Sequence, residues 1–173
     1  IDPGLSVLRR IFADASLDPN SNHELLAAAL RSGCRVFTTN FDTMIEVAYE
    51  HKYGVPLNTA ATNEEFAAIH EKWQSSGLPA GPILFKLHGC IQNMASIRAT
   101  LSGLREASAI RGPEAAVGPY LLPSEKRNVI KKCLKGSLLI VLGYSGGDDF
   151  DVMPSVENVL MELSRGIDPG GSE

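Results

Sequence analysis

The chain has 173 residues, 44% hydrophobic, 21% charged and only 6% aromatic, a balance that fits a globular domain with an aliphatic core and excludes a disordered or fibrous chain. Sixteen basic against twenty acidic residues leave a formal charge of -4, and no Lys/Arg-rich run suited to tracking a phosphate backbone stands out, so nucleic acid is not an expected partner. The longest apolar runs are too short to span a bilayer and no basic-then-apolar leader opens the sequence, so we expect no membrane association and a cytoplasmic location.

Taken in chain order, residues 22–31 carry Leu25, Leu26, Ala29 and Leu30 at helical spacing after a polar start, with Gly33 placed to stop the helix. Residues 35–39 are short and β-branched and read as a strand. Asn40-Phe41-Asp42 makes a tight turn, and residues 43–50 follow as a helix with Met44, Ile45, Val47 and Ala48 as its apolar stripe. Residues 55–62 have no clear period, and Asn63-Glu64-Glu65-Phe66 opens a helix running to about Trp73.

Gly77, Pro79, Gly81 and Pro82 mark a loop before a second strand over residues 83–87, which ends in His88-Gly89. Residues 92–118 are mixed Ser, Ala, Arg and Gly and read as an insertion or lid. A helix is expected over residues 123–134, with Val129, Ile130, Cys133 and Leu134 inward. The near-continuous apolar run 137–142 reads as a strand buried on both faces. Gly143-Tyr144-Ser145 and an acidic stretch to Asp151 lead to a last helix over residues 155–164.

Alternating strands and helices predict an α/β fold, a doubly wound parallel sheet in one domain covering residues 1–173. Ligands in such sheets bind beyond the carboxyl ends of the strands. Three predicted strand ends are polar: Thr38-Thr39-Asn40-Phe41-Asp42, Lys86-Leu87-His88-Gly89, and Gly143-Tyr144-Ser145 through Asp151. A structural scaffold has no need of that convergence, which points to a site. Each signal taken singly has a plainer reading: Asn40 as a helix cap, His88 as a satisfied or surface histidine, Asp148, Asp149 and Asp151 as a solvated turn or cap.

In this order, the same three segments, with Ile45-Glu46 after the first, resemble the sirtuin-like domains, in particular the NAD-consuming branch found in bacterial defence proteins. The motifs span about two-thirds of the chain. The resemblance implies a Rossmann-like fold with NAD as substrate and Asn40 and His88 as the catalytic pair. His88 would deprotonate a ribose hydroxyl or the attacking water, and Asn40 would hold the ribose hydroxyls and that water in line. Asp42 would contact the nicotinamide carboxamide. Thr39, Gly143, Ser145 and Asp149 would complete the cofactor contacts, Gly143 and Ser145 by letting backbone and hydroxyl approach the adenosine half.

Two departures from that family refine the expectation. No Gly-Ala-Gly turn of the kind that cradles the pyrophosphate precedes Asn40, so the first strand and its glycine-rich turn are missing, diverged or encoded upstream, in which case the chain is a piece of a larger protein. Deacylating sirtuins carry a four-cysteine zinc module between the His and the later Gly-Ser turn. Of Cys34, Cys90 and Cys133, only Cys90 and Cys133 fall in that interval, so no zinc is expected and water becomes the acceptor of the sugar.

The expected activity is therefore cleavage of NAD to nicotinamide and ADP-ribose, as the effector of an anti-phage defence or toxin protein. The alternative is a catalytically inactive sensor that binds NAD or an ADP-ribose-type ligand. Further domains of the same polypeptide and homo-oligomerisation are compatible with either.

Overall fold

The computed structural model describes residues 18–77, 81–97, 121–143 and 151–166. Over these residues the order is α1 (Ser21–Arg31), β1 (Val36–Thr38), α2 (Met44–Tyr53), β2 (Asn58–Ala60), α3 (Asn63–Ser76), β3 (Ile83–Lys86), a single 3-10 turn (Met94–Ser96), α4 (Ser124–Leu134) and α5 (Val152–Ser164). All three strands run parallel in the order β1-β3-β2, with Phe37 opposite Phe85 and Thr59 opposite Leu84.

The central strand β3 is buried along its whole length, which explains its unbroken apolar reading apart from Lys86. Its side chains alternate between two cores. Leu84 packs with Ala27, Leu30, Val36, Ile45, Ala48 and Tyr49, on the side of α1 and α2. Ile83, Phe85 and Leu87 belong to the cluster built with Phe66 and Trp73 of α3, Val129 and Ile130 of α4 and Val159 of α5. Helices thus cover both faces of the sheet, and the doubly wound architecture follows from the period-two alternation of one strand. Phe85 is the hub of the second core, stacked on Phe37 at 4.9 Å and tilted against Phe66 at 5.5 Å.

Local signals set the helix starts. Asn20 accepts from the amides of Asn22 and His23 while His23 reaches back to the Asn20 amide. Thr62 and Glu65 form the same reciprocal box at the start of α3. Helices α2, α3 and α5 extend past their expected bounds: α2 runs to Tyr53, α3 to Ser76 rather than about Trp73, and α5 begins at Val152 rather than at residue 155. Pro154 does not prevent this earlier start, because the first-turn amides of a helix have no partner within it.

One strand expectation is overturned. Residues 137–142 form no strand; Leu138 and Ile140 are 84% and 67% exposed, and Leu139, Val141 and Leu142 are exposed as well. A strand exists only where a neighbouring backbone takes its amides and carbonyls, and no such neighbour lies beside the run among the described residues. The third strand is instead β2, in a stretch without clear period, because three residues with Asn and Thr among them leave too little alternation to register. Most of the insertion expected over residues 92–118 lies outside the described residues; its beginning includes the turn Met94–Ser96.

The thiols separate by burial. Cys34 is exposed, whereas Cys90 and Cys133 are buried. Burial pushes the Cys133 thiol up to about 12, with Arg35 acting in the opposite direction. The neutral thiol is favoured in the fold, so its contribution holds below the ordinary value of 9.0 and is lost as the pH rises toward about 12. A disulfide-exchange reagent applied near neutral pH is expected to label Cys34 at once and the other two only on unfolding. Rapid labelling of all three cysteines in the native protein would contradict this packing.

Candidate functional site

The turn after β1 is held by its own side chains. The Asn40 amide donates to Thr38 Oγ1 at 3.1 Å, and the Met44 amide donates to Asp42 Oδ1 at 3.0 Å. The Asp42 carboxylate therefore serves the entry of α2, in the manner of a short polar side chain that offers the backbone a local partner. Asn40 itself is exposed, and Thr39 and Asp42 are half-buried.

The turn is tied to β3 by a buried lysine. Lys86 is 1% exposed; its Nζ donates to the Asp42 carbonyl and pairs with Glu46 at 3.0 Å. Removing two charges from water offsets most of what such a pair gains. Its consequence is geometric: three elements, β3, the turn and α2, meet at one ammonium. The Ile91 amide adds a second tie, donating to the Phe41 carbonyl at 2.9 Å.

His88 leaves the end of β3 between two fixed neighbours. On one side, the Leu87 amide donates to the Thr38 carbonyl at 2.9 Å and the Leu87 carbonyl accepts from Lys126 Nζ at 2.6 Å. Lys126 is 2% exposed and lies 5.4 Å from the Phe66 ring centre, a cation held between a carbonyl and an aromatic face. On the other side, Gly89 packs against the turn Met94–Ser96, whose Ser96 Oγ accepts from the Cys90 amide at 2.9 Å and donates to the Asn93 carbonyl at 2.6 Å.

The ring of His88 meets Asp151, the residue that opens α5, with Nε2 and Oδ1 3.0 Å apart. Phe41 flanks the imidazole with ring centres 6.4 Å apart. Asp151 is 4% exposed.

The paired residues Thr38 and Lys86 put Asn40 and His88 each two positions beyond a shared register point, at the carboxyl ends of adjacent parallel strands. Thr39 and Asp42 belong to the same turn. Gly143 follows the exposed run 137–142 and is itself exposed. Ser145 and Asp149, like Asp148, lie outside the described residues.

Three residues received their particular partners from the fold. Lys86 and Lys126 hold the two turns, and Asp151 holds the histidine. A lysine inside the apolar run Ile-Leu-Phe-Lys-Leu was a legible sign of a buried charge with a partner. Lys126 carried no comparable sign, because a lysine on an amphipathic helix usually faces water. Among the described residues no group of three or more His, Cys, Asp or Glu is placed to hold a metal ion, and no helix is long and apolar enough to cross a membrane.

A parallel sheet wound by helices on both faces, with polar turns past the ends of two adjacent strands, defines a Rossmann-like α/β domain. The chain belongs to the SIR2-like domain family, whose profile matches residues 35–167 and so covers both turns and α5. SIR2-like domains use NAD. Comparison with curated proteins finds no match.

Proposed function

We propose that the chain is an NAD glycohydrolase module and the effector part of a larger anti-phage defence or toxin protein. The bond from the nicotinamide nitrogen to the ribose C1′ breaks, its electron pair leaves with nicotinamide, and the sugar passes through an oxocarbenium-like state. Water adds to C1′ and releases one proton, giving ADP-ribose. His88 takes that proton or activates a ribose hydroxyl, and Asn40 orients the hydroxyls and the water. Thr39, Asp42, Gly143, Ser145 and Asp149 contact the nucleotide.

The observation that carries this reading is the shared register of Asn40 and His88 past the paired Thr38 and Lys86, together with the ties that hold their two turns to one another. Incubation with NAD, followed by chromatography of the products, is expected to give nicotinamide and ADP-ribose in equal amounts. A protein of full natural length that releases neither ends the enzymatic reading.

A second reading is a sensor that binds NAD or an ADP-ribose-type ligand without turnover. It draws on Gly143, which lies exposed after a run that pairs with no strand among the described residues. A rise in melting temperature with nucleotide, without product over hours, selects it.

A further inference from the structure

The contact between His88 and Asp151 joins two groups whose backbones are both anchored. The His88 segment is fixed by Lys126 on the Leu87 carbonyl and by the Leu87 amide on Thr38. The Asp151 carbonyl accepts from Ser155 Oγ at 2.5 Å, and that hydroxyl oxygen in turn accepts from the Leu122 amide at 2.8 Å. Ser155 is fully buried. The hydrogen bond thus joins two backbones whose positions are set by the packing of α5 and α4 against the sheet.

A neutral imidazole has one N–H and one lone pair, and an ionised carboxylate only accepts. With Asp151 Oδ1 at 3.0 Å from Nε2, the proton of the neutral ring belongs on Nε2 and the lone pair on Nδ1. We infer that Asp151 is a positioning residue for His88, fixing its Nε2–H tautomer so that Nδ1 is the nitrogen that takes up a proton. The catalytic part of this assignment rests on the NAD glycohydrolase reading; the tautomer does not. Once Nδ1 is protonated, the same carboxylate faces the cationic ring and stabilises it, the arrangement by which a buried aspartate supports a histidine base elsewhere.

Long-range 1H–15N correlation of the labelled protein at about pH 8, where a histidine of ordinary basicity is neutral, reads the tautomer directly. His88 is expected to show a protonated Nε2 and an unprotonated Nδ1. In Asp151→Asn the amide accepts from Nε2–H or donates to Nε2, so the preference is lost and the Nδ1–H form appears. The kcat for nicotinamide release is then expected to fall about tenfold or more while KM stays within about twofold, because the base is in the wrong tautomer but substrate contacts persist.

A wild-type His88 carrying its proton on Nδ1 overturns the inference, and so does an Asp151→Asn variant that keeps both tautomer and kcat. If that variant does not fold, the wild-type spectrum alone decides. Absence of nicotinamide from the wild-type protein removes the glycohydrolase reading and leaves the spectrum to decide the role of Asp151 in fixing the ring.

Discussion

On the NAD glycohydrolase reading, His88→Ala is expected to lower the kcat for nicotinamide release by about 10²-fold or more while leaving the protein folded. The magnitude is that of a positioned general base lost from a reaction that needs one. The fold survives because the imidazole side chain is 22% exposed and sits at a strand end, so its loss leaves no large core void. The Asp151 carboxylate does lose a partner. The melting temperature, measured beside the rate, separates the two effects. A variant that melts as the wild type and retains most of its rate removes His88 from the mechanism, and with it the functional importance of the Asp151 contact.

On the same reading, Gly89→Ala is expected to damage fold and activity together. Gly89 has φ +100°, and an added Cβ would come within 2.3 Å of the Ser96 carbonyl oxygen and 2.7 Å of the Ile97 nitrogen. Those neighbours are backbone, and they cannot rotate away. The backbone conformation costs an L-residue about 1–3 kcal/mol, and pushing the turn aside adds about 1 kcal/mol for the Cys90–Ser96 hydrogen bond. A fall in melting temperature on the order of 10 °C follows for a domain of this size. Gly33→Ala is the control, since Gly33 has φ +93° but an added Cβ there would meet nothing within 4 Å, so it carries the conformational cost alone. Equal shifts for the two variants would mean that contact with Ser96 is not what requires glycine beside His88.

Local chemistry made most of the helices legible. The polar starts of α1 and α3 and the apolar spacing of α1 and α4 are patterns among residues a few positions apart, and they read the same in any surroundings; the caps themselves, at Asn20 and Thr62, came from the structure. Strands were less legible. Residues 36–38 and 83–86 could be read because β-branched and apolar residues crowd into them. Residues 58–60 pair with β3 without such a signature, and residues 138–142 have the signature without a partner among the described residues. Hydrogen bonding between strands is decided by which segments meet, and composition does not carry that information.

The candidate site divides along the same line. Asn40 and His88 could be singled out because polar residues at the ends of apolar runs are visible in one dimension. Which nitrogen of His88 is engaged, and by which carboxylate, could not: Asp151 lies 63 positions away in sequence and reads as one acid among several beside a glycine pair. Lys126 likewise reaches the Leu87 carbonyl from 39 positions away. The sequence by itself determined the helices, the central strand and the residue types offered at its end, all of them matters of neighbours along the chain. Only the tertiary structure decided the partners of those residues, because a hydrogen bond between distant segments exists only once the sheet and its two helical layers have brought them within about 3 Å of one another.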